Sequence, residues 1–322
     1  MARLIDLFVL GLDPKRPILA PRMKPTQLQV AAAQMRFRPR FDENVAQIIE
    51  RVHDAARGGA DVILFSECAV TGYRREFKGI KPEQVNRACA EVARAARAAR
   101  CNVLVGSPTF RNGAWFNSLL VFDRRGREVF EYSKIHLTES DARFFTPGDG
   151  LALFRVDGIP ATSIICHERR YPELVRLPVM MGAQIVFHPN AGLDTLEISK
   201  GKRGGRDGMA ARAFENQVYY VFANSVGPQG KGLWSAGDSK IIAPDSQMLA
   251  LANNRDETII QARLDLTKAG RRYAKEALRR PLFLRQAWQQ MLRLCRSNRI
   301  RWRRSRRHRT PDPVPRFVIS VE

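Results

Sequence analysis

Short apolar runs alternate with stretches of helical period from residue 28 onward. Residues 29–34 read as a strand, and 41–57 carry helical periodicity that Gly58-Gly59 stops. A strand over 60–66, an Ala/Arg-rich helix over 82–100 and a strand over 102–106 follow. Runs at 116–122 and 128–132, joined by Asp123-Arg-Arg-Gly126, predict a hairpin. Another pair of strands is expected at 151–156 and 161–166. Helices over 174–181 and 207–217 precede strands at 184–188 and 218–224, and strands at 239–243 and 258–264 close the pattern. Strands interspersed with helices, without an internal repeat, predict one layered α/β domain.

Three of these strands end on polar groups of complementary chemistry. The run from Pro160 ends on Cys166 and passes into His167-Glu168-Arg169-Arg170-Tyr171-Pro172-Glu173. The run from Ala60 ends before Glu67, and the run from Val129 ends before Lys134. Functional groups in open α/β sheets collect where strands end, so the three residues are expected to meet at one site. A thiol, a carboxylate and an ammonium together can form and resolve an acyl-enzyme. Each residue alone has a plainer reading, since free cysteine is commonly a small core hydrophobe and a lone lysine a solvated one. Their joint placement carries the case.

The local contexts sharpen it. Phe65-Ser-Glu-Cys-Ala-Val-Thr-Gly-Tyr73 surrounds the carboxylate, Tyr132-Ser-Lys-Ile-His-Leu137 the ammonium, and Ile164-Ile-Cys-His-Glu-Arg-Arg170 the thiol. Phe144-Phe-Thr-Pro-Gly148, Arg212-Ala-Phe-Glu-Asn216 and Ser239-Lys-Ile-Ile-Ala-Pro-Asp245 follow in order. From about Leu28 to Leu266 the chain resembles the nitrilase, or carbon–nitrogen hydrolase, superfamily. The resemblance implies an α-β-β-α sandwich, a homodimer or higher homo-oligomer with sheets stacked across the interface, and a catalytic set of Glu67, Lys134 and Cys166. It also implies an acid supporting the lysine, for which Glu139 and Asp141 are jointly the candidates. By family position Tyr73 and Asn190 belong to the pocket wall, with packing an equal reading for Tyr73.

A thiol with an ordinary pKa of about 8.5 is mostly protonated at neutral pH and needs a base. Glu67 is expected to take that proton and later activate water, while Lys134 and the backbone N–H after Cys166 stabilise the oxyanion. This chemistry requires no metal and no organic cofactor. A Cys–His pairing with His136, His167 or His188 is the competing arrangement, but it leaves the Glu67 and Lys134 contexts unexplained. Hydrogen-bonded pocket positions are the plainer reading of these histidines, and His136 and His167 count among the candidate substrate-contacting residues.

Arg169 and Arg170 next to the nucleophile resemble the pattern of N-carbamoyl-amino-acid amidohydrolases, whose paired arginines meet a substrate carboxylate. The alternative is that one of them pairs with Glu173 and holds the loop. Small amides or N-carbamoyl compounds are thus the expected substrates, with ω-amides, N-carbamoylputrescine-type substrates and nitriles open.

Composition changes the picture at one end. Lys and Arg number 54 against 32 Asp and Glu, a formal charge of +22. Residues 271–316 hold sixteen of the basic residues and two of the acidic ones. The organisation expected is an extension over 1–27 with four prolines, a hydrolase domain over 28–267, and a basic helix with an Arg-rich tail over 268–322. Residues 299–309 contain seven arginines and Trp302, a pattern suited to a polyanion. A nucleic-acid or anionic-membrane binding protein on a hydrolase scaffold is therefore the second functional class, and a solvated or dimer-wrapping arm is the plainer reading. Five widely spaced cysteines without a CxxC pair fit a reduced, cytoplasmic protein better than a disulfide or zinc scaffold. Asp6 interrupts the N-terminal apolar stretch, against a signal peptide.

Overall fold

The computed structural model describes residues 26–73, 77, 79–201, 208–230 and 232–304. Two six-stranded sheets form its centre. The first runs Thr258–Asp265, Gln27–Gln34, Val62–Leu64, Asn102–Arg111, Ala114–Phe122, Glu128–Ser133. The second runs Met248–Leu251, Lys240–Ile242, Tyr219–Asn224, Ile185–Asn190, Ile159–Ser163, Phe154–Val156. Each sheet has three parallel strands at its middle and antiparallel strands outside them. A parallel bridge between Met35 and Ser225 links the two sheets just past the carboxyl ends of their inner strands.

Strand periodicity of two sends alternate residues to opposite faces. Val30, Ala32, Leu64 and Leu104 of the first sheet share a core with Ala161, Ile185, Phe187 and Val221 of the second. The opposite face of the first sheet, with Ala31, Ile63 and Val103, packs on helices Phe41–Arg57 and Pro82–Ala99. Val186, Tyr220 and Phe222 on the outer face of the second sheet meet helices Glu173–Met180 and Met209–Asn216. The layers are helix, sheet, sheet, helix. Helix Phe41–Arg57 shows why the pattern works: it buries Val45, Ile48, Val52 and Ala55 on one stripe and starts on Asp42 and Glu43, which suit a helix N-terminus.

The expected strand over 161–166 ends at Ser163, because the chain leaves the ladder and enters a 3-10 turn, Cys166–Arg170. Only Phe154–Val156 of the expected 151–156 strand is paired. A three-stranded sheet of Val226–Pro228, Leu233–Ala236 and Asp194–Thr195 was not legible in the glycine-rich segment that supplies most of it. Residues beyond 267 join the outer layer: Ala274 and Leu292 are buried against the second sheet's helices. The N-terminal extension, apart from residues 26 and 27, and the Arg-rich run from 305 lie outside the described residues.

Candidate active site

The carboxyl ends of inner parallel strands open on one cavity of about 420 Å³. Glu67 arrives first, three residues past Val62–Leu64, and is 1% exposed. Gly106 on the neighbouring strand allows it to sit there. A Cβ at Gly106 would lie 2.4 Å from the Ser66 carbonyl oxygen and 2.6 Å from the Cys68 nitrogen, closer than any side chain tolerates. Oε1 of Glu67 accepts from Lys134 Nζ at 2.8 Å and from Asn117 Nδ2 at 2.7 Å. Its Oε2 accepts from the Ala191 N–H at 3.2 Å.

Lys134 directly follows strand Glu128–Ser133, and its own N–H donates to the Asn117 carbonyl at 2.8 Å. The Gly148 N–H donates back to the Lys134 carbonyl at 2.8 Å, and a Cβ on Gly148 would lie 2.1 Å from the Ser133 oxygen. The Pro-Gly end of the Phe144–Gly148 segment therefore clamps the lysine's backbone. Nζ also donates to Asp141 Oδ2 at 2.7 Å. Asp141 opens a short 3-10 turn, accepts from the Thr138 N–H at 3.0 Å, and takes the Tyr73 hydroxyl at 2.6 Å.

Cys166 begins its turn with φ +50°, a left-handed conformation that a non-glycine residue holds only under constraint from its surroundings. Two groups supply that constraint. His188 Nε2 bonds the Cys166 carbonyl at 3.1 Å, and its Nδ1 meets the Tyr220 hydroxyl at 2.9 Å. Glu168, fully buried, accepts from the N–H of Ile165 at 2.7 Å, of Ile135 at 2.7 Å and of His136 at 3.2 Å, and from the Tyr132 hydroxyl. One carboxylate thus ties the loop after Lys134 to the loop that carries the thiol.

Electrostatics follow from burial and from these contacts. Burial, the neighbouring Glu67 carboxylate and its hydrogen bond push the Cys166 thiol up to about 12, so it rests protonated. Burial raises Glu67 above the usual carboxylate range, opposed by Lys134 and supported by the charge of Asp141. That makes it a stronger base. Burial works against the charge on Lys134, but Glu67, Cys166 and Asp141 outweigh it and hold the ammonium. Asp141 is lowered despite its burial because Lys134 and Tyr73 favour its anion.

Glu67, Lys134, Asp141 and Tyr73 thus form one bonded set, and Cys166 is within hydrogen-bonding reach of Glu67. Glu139, expected to share the supporting role with Asp141, is exposed on the loop and makes no contact with Lys134. Its neighbour two positions on is the residue that turns inward. His167, Arg169, Arg170 and Asn190 line the cavity with Tyr73, Lys134 and Cys166. His136 does not; its ring stacks flat on Tyr171 at 3.6 Å. His188 Nε2 bonds the Cys166 carbonyl and its Nδ1 the Tyr220 hydroxyl, so both ring nitrogens are engaged away from the sulfur. Neither Arg169 nor Arg170 is paired with Glu173 or another acid among the described residues. Asn190 Nδ2 donates to Asn224 Oδ1 at 2.8 Å, joining two inner strand ends behind the cavity.

Sequence reasoning missed Asn117, Glu168, and the facing wall of Asp194 and Asp238. Glu168 could have been suspected from its place two residues after the thiol. Asp238 could not, because a left-handed φ of +61° sets its position.

A carbon-nitrogen hydrolase family match spans residues 29–273. A nitrilase from Pyrococcus abyssi is 28% identical over 70% of this chain and 84% of its own length. Omega-amidase NIT2 from Xenopus tropicalis is 26% identical, covering 74% of this chain and 89% of its own. N-carbamoylputrescine amidase from Oryza sativa is 26% identical, covering 75% and 87%. Among solved structures, a mutant of the Nesterenkonia AN1 amidase from the nitrilase superfamily superposes with a TM-score of 0.70 at 23% identity, covering 84% of this chain and 99% of that one. Another structure of that amidase shows covalent addition of the acetamide moiety of fluoroacetamide at its active-site cysteine.

Proposed function

Because the chain belongs to the carbon–nitrogen hydrolase family, we propose that it hydrolyses a small amide or N-carbamoyl compound through a thioester on Cys166. The observation that carries this reading is the convergence of Glu67, Lys134 and Cys166 from three separate strand ends, with Lys134 and Cys166 lining one cavity and Glu67 buried against them. As Sγ bonds the carbonyl carbon, its proton passes to Glu67, which is a stronger base than an exposed carboxylate. The tetrahedral oxyanion lies against the Lys134 ammonium and the N–H of His167, which opens the turn after the thiol. Glu67 returns the proton to the leaving nitrogen, the C–N bond breaks, and ammonia or amine departs. Water then attacks the thioester, gives a proton to Glu67, and the acid leaves as the thiol re-forms. Asp141 keeps Lys134 charged and aimed throughout. Covalent addition at the active-site cysteine of the Nesterenkonia amidase, although not a thioester, supports a nucleophilic sulfur at Cys166.

Arg169 and Arg170 stand at the cavity without an acidic partner among the described residues, so they are the groups to grip a substrate carboxylate. An ammonia-release screen across N-carbamoyl amino acids, ω-amides and nitriles tests the reading. Amides or carbamoyl compounds are expected to turn over, carboxylate-bearing ones best. Turnover of nitriles alone would replace the reading with a nitrilase. Changing the responsible arginine to Lys should raise KM for carboxylate substrates by the loss of a bidentate contact, roughly 1.5–3 kcal/mol, and leave neutral amides little changed.

A further inference from the structure

The helix Leu282–Arg304 has two apolar sides. On the inner one, Leu292 is 5% exposed, and Trp288 and Cys295 pack with it on the outer core of the second sheet. The outer one has no such cover. Phe283 is 71% exposed, Leu282 66%, Met291 43% and Leu284 40%. Phe283, Ala287 and Met291 recur every fourth residue, so they share a stripe along the helix. Arg285, Arg293 and Arg296 are exposed on the opposite flank of the helix, and the helix sequence holds seven arginines and no acid.

We propose that this outer face docks on an anionic lipid surface, with the helix lying in the interface plane. Charge selects the partner. A second copy would bring the same positive charge to the contact, whereas anionic headgroups neutralise it. The apolar stripe then separates lipid from nucleic acid. A polyanion groove needs the arginines and gains nothing from an exposed Phe283 and Met291, but a bilayer takes such side chains below its headgroups while arginines stay at them. No helix among the described residues is long and apolar enough to cross a membrane. The helix lies on the surface, and the catalytic cavity needs no change to accommodate this.

The test is co-sedimentation of the full chain with vesicles of phosphatidylcholine, alone or with phosphatidylserine. Binding is expected only to the anionic vesicles. Phe283→Ser with Met291→Ser should weaken it by about tenfold or more, since two buried apolar side chains are lost. Both positions are exposed, so thermal unfolding and amide hydrolysis should not change. Phe283→Trp should show a blue-shifted emission on binding, which reports insertion. The proposal is overturned by absent vesicle binding, by binding that the double Ser variant leaves intact, or by duplex DNA binding more tightly than the vesicles. It is also overturned if the double variant turns a dimer into a monomer, which would assign the stripe to a second copy.

Discussion

Lys134 and Lys240 are both at most 1% exposed, and each meets a carboxylate at 2.7–2.8 Å. Their surroundings differ in origin. Lys240 bonds Asp238, two residues away on the same segment, and lies 5.7 Å from the centre of the Phe222 ring. Lys134 bonds Glu67 and Asp141, and Glu67 in turn faces the thiol of a third segment. A buried ion pair costs desolvation that its attraction barely offsets, so neither pair exists because it is a strong stabiliser. The local pair shapes a wall, since Asp238 lines the cavity. The pair assembled from distant segments is the one to which the proposed mechanism assigns the reaction. What separates them is a carboxylate, an ammonium and a thiol brought together from different strand ends.

The largest effect expected is at the thiol. Cys166→Ala should lower kcat by roughly 10⁴-fold or more with little change in thermal unfolding. Steady-state rates and a melting curve on the same sample check both halves.

The two lysines come next. Removing one partner of a buried pair costs about 3–5 kcal/mol, so Lys134→Met and Lys240→Met should both unfold at lower temperature. Only Lys134→Met should also lose roughly 10³-fold in kcat, because the oxyanion loses its charge partner. If Lys240→Met kept its stability but lost turnover to the same degree, the two lysines would not differ as described.

The acids give a smaller and more directional effect. Glu67 is raised by burial and by the charge of Asp141, so activity should fall on acidification at a pH above the ordinary carboxylate range. Asp141→Asn removes the neighbouring anion and should move that acid limb to lower pH, besides slowing the reaction. Glu139→Gln should do neither. The folded form holds Asp141 lowered, so its contribution to stability is complete above its unfolded pKa of about 3.9 and is lost as pH falls through the folded value. pH profiles of kcat/KM for the two variants decide whether Asp141 alone supports the lysine.

Much of this site was legible because strand ends are visible as breaks in apolar runs. Glu67, Lys134 and Cys166 each stand where such a run meets polar residues, and helix Phe41–Arg57 was bounded by its period and by Gly58. What could not be read depends on contacts between distant segments. Asn117 reads as an ordinary strand residue, yet it positions Glu67 across 50 positions. Glu168 and Glu139 look alike in sequence, but the first is buried among backbone N–H groups and the second faces solvent. His188 ends a strand as expected, and only the turn at Cys166 reveals that its partner is a carbonyl.

The central claim is a covalent bond at Cys166, and intact-protein mass spectrometry tests it most directly. Wild-type protein mixed with an activated ester of a small acid, whose thioester should form faster than it is hydrolysed, and quenched in acid should keep the acyl group. The account predicts a mass gain equal to that group, located by digestion on the peptide containing Cys166. A gain on Cys68, the buried neighbour of the base, or no gain while wild-type protein turns over the same compound, would contradict it.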